Sequence, residues 1–387
     1  MREIYLDNSA TTRISPEALE KYVKISEGCY GNPSSLHGMG FSAEGVLKEA
    51  RSEVLASLSA KDAEVIFTAS GSEANNLAII GRAYSKERYK RGARIIITDS
   101  EHASSGEPAA FLEKAGFKVE RIPTKGGKID TGAMMDALTP DVILVSMMMV
   151  NNETGALYDT LSASKMMKMR CPDALMHIDA TQSYMKIPFT KASCGADMIT
   201  LSSHKIEGPK GVGALVVDQK ILKSKGLSPL ILGGGQERGL RSGTENVPAV
   251  AAFGEAVRIG RGEIRERYCR LDSLRSYLIK RISDEIPEIS LTLPDSHAPH
   301  ILNVTLPKIK SETMLHYLSS FGIYVSSGSA CSSNSAHPSS ALISYGRTAA
   351  EADSSIRISF SHRNSTEDVD ELVEKLKEGL NKLTRVR

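Results

Sequence analysis

The sequence predicts an α/β protein, a mainly parallel sheet with helices on both faces, plus a smaller α+β unit. Two observations carry this. Through the first two thirds of the 387 residues, short apolar runs of β character alternate with helical stretches. From about residue 248 the alternation gives way to long charged helices and a few late strands. Six early runs read as buried strands: 65–68, 95–98, 142–146, 175–178, 198–201 and 214–217. Each is short, rich in Ile, Val and Leu, and bounded by polar residues or glycine. Between them, 73–89 and 109–115 have helical character. Later, 249–286 reads as one or two charged helices, and 302–305, 323–326 and 356–360 read as strands. The final helix is clearly signalled. Thr366 can cap it, Glu367 and Asp368 suit its first turn, and Val369, Leu372, Val373, Leu376, Leu380 and Leu383 form one stripe.

Composition narrows the function classes. Forty-eight Lys and Arg face 46 Asp and Glu, a net charge of +2, so no global field draws the chain to nucleic acid or membrane. The longest apolar stretch, 142–150, is far below the ~20 residues of a membrane span. Residues 1–8 carry Arg2, Glu3 and Asp7 without an apolar run, so no secretion signal is expected. The five cysteines, Cys29, Cys171, Cys194, Cys269 and Cys331, are scattered without a C-x-x-C pair. Neither a disulfide framework nor a thiolate metal site is indicated, and the expectation is a cytoplasmic protein. Residues 326–340 hold eight serines among fifteen residues, with Cys331 near the centre, and read as a mobile loop.

In a parallel sheet, ligands bind beyond the carboxyl ends of the strands. The residues there are polar clusters. After 65–68 comes Ala69-Ser70-Gly71-Ser72, running into a helix. This is either a phosphate seat at a positive helix end or a plain tight turn capped by serine. No Walker-type phosphate loop is present. The other strand ends carry Glu101-His102, Asn151-Asn152-Glu153, Asp179-Ala180-Thr181-Gln182 and Ser202-Ser203-His204-Lys205. Alone, His102 or Asp179 reads as a structural hydrogen-bonding residue and Lys205 as a surface lysine. As a set they fit a pyridoxal-phosphate site: a Schiff-base lysine, an aspartate for the pyridinium nitrogen, a phosphate turn and a flat ring for stacking. A metal held by His102, His177, Asp179 and His204 is the competing reading, without any recognised ligand spacing to support it.

With these residues in order, the chain resembles the cysteine desulfurases of the NifS/IscS type, in the class V aminotransferase group of fold-type I pyridoxal-phosphate enzymes. The resemblance runs from Tyr5-Leu6-Asp7-Asn8 through the clusters above to Arg241-Ser242-Gly243-Thr244-Glu245-Asn246, Ser329-Ala330-Cys331-Ser332 and Ser355-Ile356-Arg357. It implies a seven-stranded sheet in a large cofactor domain over 16–255, and a small domain from 1–15 and 256–387. It implies that Lys205 holds pyridoxal 5'-phosphate as a Schiff base, Asp179 pairs with the ring nitrogen and Gln182 bonds the ring hydroxyl. His102 would stack on the ring and shuttle a proton. Gly71, Ser72, Ser202 and His204 would bind the phosphate, and Thr244 would reach the phosphate of a neighbouring subunit in a homodimer. Asn152 and Arg357 would hold the substrate carboxylate, and Cys331 would accept sulfur. The implied reaction converts L-cysteine to L-alanine, with sulfur passed as a persulfide to an acceptor protein such as an iron–sulfur scaffold, for clusters, thio-cofactors or tRNA. A selenocysteine lyase or a class V aminotransferase is the alternative; no metal, membrane or direct nucleic-acid partner is implied. The chain departs from the family pattern at Ser9, at Ser70-Gly71 and at Phe360-Ser361-His362-Arg363-Asn364.

Overall fold

A computed structural model describes residues 2–85, 93–327 and 338–383. Its strands in chain order are β1 (Ile4–Tyr5), β2 (Ala63–Thr68), β3 (Arg94–Thr98), β4 (Lys118–Ile122), β5 (Val142–Met148), β6 (Leu175–Asp179) and β7 (Met198–Ser202). They continue with β8 (Gly213–Asp218), β9 (Ser290–Thr292), β10 (Ile301–Thr305), β11 (Ile323–Tyr324), β12 (Ser326–Ser327) and β13 (Ser355–Ser359). Seven of them form the central sheet, in the order β2-β8-β7-β6-β5-β3-β4. All pairings from β7 to β4 are parallel; β8 alone runs against its neighbours, β2 and β7.

Successive side chains of a strand face opposite sides of the sheet, and the core sorts accordingly. Val65, Phe67, Val145, Met147, Ile199, Leu201 and Val216 pack on one face, against helices Gly38–Ser57 and Val247–Glu285. Ile66, Ile95, Ile97, Leu144, Met198, Leu215 and Val217 pack on the other, with helices Gly71–Ala83 and Ala103–Lys114. Every residue of β5, β6, β7 and β8 is buried. This explains their continuous apolar sequence, since helices cover both faces. A separate apolar cluster joins Ile4 and Leu6 to the four-stranded sheet β12-β13-β10-β9 and helix Thr366–Leu383. Helix Val247–Glu285 is continuous over 39 residues, about 58 Å at 1.5 Å per residue. Its first part, from Val247 to Val257, packs in the large core, and Leu271, Leu274, Leu278 and Ile282 pack in the other.

Several elements differ from their sequence-based expectation. Strand β4, Lys-Val-Glu-Arg-Ile, is an edge strand whose charged residues face water, so it lacks an apolar run. Helix Ala103–Lys114 starts before the expected residue 109, because the His102 side chain caps it. The helix expected over 73–89 spans Gly71–Ala83 and is capped by Tyr84; residues 86–92 lie outside the described part. The run 323–326 is two strands, β11 beside β1 and β12 beside β13. Thr366 is the first helical residue rather than the cap, and the Asp368 carboxylate accepts the Ser365 N–H at 3.1 Å. Among the described residues, no helix is long and apolar enough to cross a membrane.

The two long helices of the first core touch at Gly254, where an added Cβ would meet Ala50 Cα and Cβ at 2.9 Å. Gly254→Leu should therefore force them apart and cost about 1–3 kcal/mol. A lowered melting temperature checks this; an unchanged one would show that the contact yields freely.

Candidate active site

The carboxyl ends of β5, β6 and β7 open into one cavity of about 230 Å³. It is lined by Lys205, Asp179, His102, Gln182, Asn152 and Arg357, and by Gly71, Ser72, Ser202 and His204. Ten of the twelve sequence-predicted residues thus meet in one cavity, Arg357 reaching it from β13. Thr244 is exposed and does not line this cavity. Cys331 lies outside the described residues.

Asp179 is the last residue of β6 and is buried. Its carboxylate accepts from the Thr181 N–H at 2.9 Å and from the Asn75 amide at 2.8 Å. The same Asn75 nitrogen donates to Ser104 Oγ at 2.8 Å, and Ser104 Oγ lies 2.8 Å from His102 Nδ1. This chain ties the aspartate to the imidazole. His102 Nδ1 also accepts the Ser104 N–H at 3.1 Å, as cap of its helix. A backbone N–H can only donate, so Nδ1 holds a lone pair and the neutral ring carries its proton on Nε2. Burial pulls the His102 pKa below its ordinary value, helped by Lys205 and Arg357 and opposed by Asp179.

Lys205 follows β7 on a single 3₁₀ turn, Ser203–Lys205. Its Nζ donates to the carbonyls of Ser9 and Ala10 at 2.6 and 2.7 Å. Gln182 Nε2 also donates to the Ser9 carbonyl, at 2.9 Å, and its buried Oε1 has no hydrogen-bond partner among the described residues. A buried acceptor left unmet is costly, and this one belongs to a residue lining the cavity. Ser70 Oγ accepts the Glu73 N–H at 3.1 Å, so the departure at Ser70 supplies the helix cap. An added Cβ on Gly71 would stand 3.2 Å from Ser202 Cβ and from Thr181 Oγ1. A side chain there would press on both, and one of them would have to give by a few tenths of an ångström. His204 Nδ1 is 3.2 Å from Thr11 Oγ1, and burial, then Lys205, lowers its pKa to about 4.

Arg357, on β13, is fixed from two sides. It donates to Asp7 Oδ1 at 2.7 Å and to the Asn152 carbonyl at 3.0 Å, and its buried Nε has no hydrogen-bond partner among the described residues. So Asn152 contributes its main chain to this contact. The departure at 360–364 folds back as a turn, with Asn364 Oδ1 accepting the Ser361 N–H at 2.8 Å and Arg363 paired to Glu207 at 3.1 Å.

Sequence reasoning left three residues without a role. Asn75 bridges Asp179 to Ser104, and its signal was a polar residue one turn into a buried helix. Asp7 anchors Arg357. Glu101 is half-buried, and burial of its carboxyl is the main cause that pushes its pKa up to about 8; it accepts from Thr98 Oγ1 and the Met148 N–H and ties β3 to β5. His177, weighed as a metal ligand, is held between Ser146 Oγ at 2.8 Å and Thr200 Oγ1 at 2.9 Å, a cross-strand structural role. Among the described residues, no group of three or more His, Cys, Asp or Glu could hold a metal ion.

Residues 4–372 match the aminotransferase class-V family. The chain belongs to that family. Among similar members, cysteine desulfurase IscS 1 of Archaeoglobus fulgidus is 38% identical over 374 residues, 96% of this chain and 95% of its own. Cysteine desulfurase IscS of Dictyoglomus turgidum is 36% identical over 387 residues, 100% of this chain and 96% of its own. Among solved structures, a NifS-like protein superposes with a TM-score of 0.90 at 33% identity, over 98% of this chain and 100% of its own. SspA in complex with cysteine gives 0.80 at 31% identity, over 94% and 100%.

Burial holds His177 and His300 well below the ordinary imidazole range and His204 at about 4. In the unfolded chain these rings return to roughly 6.5. Between pH 6.5 and 4 the unfolded chain therefore binds more protons, and stability falls as pH falls. Urea midpoints should decline between pH 6.5 and 4.5, where three imidazoles outweigh the opposing proton that Glu101 keeps in the folded chain; a flat profile there would refute the buried neutral imidazoles.

Proposed function

We propose that the protein is a pyridoxal-phosphate-dependent cysteine desulfurase. On this reading it converts L-cysteine to L-alanine and passes the sulfur through Cys331 to an acceptor protein, for iron–sulfur clusters, thio-cofactors or tRNA. The observation that carries the reading is one cavity holding an amine, a carboxylate and a fixed guanidinium: Lys205, Asp179 and Arg357. The full-length similarity to cysteine desulfurases supports it.

The residues fit the cofactor. Lys205 would link to it, Asp179 would face the ring nitrogen and Gln182 Oε1 would accept from the ring hydroxyl. Gly71 and Ser72, at the helix N-terminus, would seat the phosphate with Ser202 and His204. His102 would lie over the ring. Bound there, pyridoxal phosphate supplies an electron sink for the bond broken at the substrate α-carbon. The chain's own groups do the rest. Arg357 holds the substrate carboxylate in a fork oriented by Asp7 and by the Asn152 carbonyl. Lys205 Nζ takes the α-proton. The thiolate of Cys331 attacks the substrate sulfur, the S–Cβ bond breaks, and its electron pair stays with carbon, which is protonated on the way to alanine. A cytoplasmic setting belongs to this proposal, because that thiol must stay reduced. So does a homodimer, in which exposed Thr244 would reach a neighbour's phosphate. Exposed apolar residues, Leu36 at 90% and Leu232 at 80%, are consistent with such a partner.

Purified protein given L-cysteine and a reductant should release alanine and sulfide in equal amounts without any keto acid. Cys331→Ser should lose the sulfide, and Lys205→Ala should lose the lysine-linked cofactor absorbance. Alanine formed only with a keto acid would point to an aminotransferase instead. Arg357→Lys breaks the fork and should raise KM for cysteine by about 10- to 100-fold, as expected for ~1.5–3 kcal/mol of charged hydrogen bonding. A loss confined to kcat would place Arg357 elsewhere in the reaction.

A further inference from the structure

Behind Lys205 lies a second, smaller cavity of about 30 Å³, roughly the room of one water molecule. Its wall includes Lys186, Lys205, Glu207, Arg267 and His362. Among the described residues, Lys205 alone lines both this cavity and the larger one. Lys186 follows a non-glycine residue in the left-handed region, Met185 with φ 56°. Its Nζ is buried and has no hydrogen-bond partner among the described residues. A buried unpaired ammonium is costly, so this amine needs a reason to be there.

The charges acting on Lys186 are mostly repulsive. Lys205 and Arg357 oppose its proton, and Glu207 favours it. But Glu207 is already engaged by Arg363 at 3.1 Å, Arg267 at 3.4 Å and the His362 ring at 3.7 Å. His300, whose ring is fully buried and has no hydrogen-bond partner among the described residues, in turn feels the charge of Lys186. Burial, then Lys205, brings the Lys186 amine down to about 7. Two amines that act on each other from the wall of one buried cavity resist being protonated together, and each proton weakens the hold of the other nitrogen on its own.

We propose that Lys186 is a positioning residue for the reaction: from the cavity behind Lys205 it disfavours the proton on the Lys205 nitrogen, and so keeps that amine ready to act as a base. The inference rests on the assignment of Lys205 to the cofactor. A cationic neighbour is one of the known ways to activate a lysine.

The test is a spectroscopic titration of the cofactor-loaded protein, following with pH the absorbance change as the linking nitrogen loses its proton. In Lys186→Met the midpoint should rise by about one pH unit. In Lys186→Arg, which keeps a cation, it should stay at or below the wild-type value. The methionine variant should melt no lower than wild type, since an unpaired buried amine has been replaced by apolar atoms. An unmoved midpoint in folded Lys186→Met overturns the proposal. Should that variant fail to fold, Lys186→Gln replaces it: a raised midpoint supports the proposal and an unmoved one overturns it. If the wild-type protein shows no lysine-linked band, the assignment of Lys205 falls, and this inference with it.

Discussion

Two main-chain carbonyls, those of Ser9 and Ala10, hold the amine of Lys205. The site depends on that contact, because it fixes where the segment Asp7 to Thr12 must run. The segment is pinned along its length. The Ser9 N–H donates to Ser359 Oγ, Thr12 N–H and Oγ1 both donate to the His204 carbonyl, and Asp7 holds Arg357. It therefore links the end of β7 in the central sheet to β13 in the smaller one. A carbonyl oxygen offers two lone pairs, and that of Ser9 takes both Lys205 and Gln182. Carbonyls suit this task, since they hold an amine without adding a full charge near the Asp179 carboxylate.

The second requirement is to keep buried charges oriented. Asp179 and Arg357 are both buried, and each is held by at least two partners, as burial of a charge requires. The partners differ in kind. Asp179 takes neutral N–H donors from Asn75 and Thr181, whereas Arg357 takes one carboxylate and one carbonyl. Each is therefore set in direction by groups whose own positions come from a helix, a turn or the N-terminal segment. Removing Asn75 would loosen both Asp179 and Ser104, each left with one partner fewer, so orientation here belongs to the network rather than to any one residue.

Much of the fold could be read from the chain because burial on both faces of a strand leaves a plain apolar run. All six such runs are strands of the central sheet. β4 escaped because an edge strand with one wet face reads Lys-Val-Glu-Arg-Ile. Helix Ala103–Lys114 looked shorter than it is because its start is capped by a histidine and contains Pro108. At the site, the residues directly after the strands were legible, since several polar clusters share the carboxyl edge where a parallel sheet binds its ligands. Asn75, Asp7 and Lys186 were not. Asn75 sits within a helix, Asp7 precedes the sheet by more than fifty residues, and Lys186 looks like any lysine in a turn.

The sequence by itself determined the layer order, the strand-end clusters and the family resemblance, because these follow from local periodicity and from residue types in order. Tertiary structure alone decided which partners those residues have. The link between Asp179 and His102 runs through Asn75 and Ser104, drawn from two different helices. The grip on Lys205 comes from carbonyls some 195 residues away. Nothing in local spacing encodes such contacts. They exist because packing brings the sheet and the N-terminal segment together, and a buried polar group left unmet would cost more than the contact.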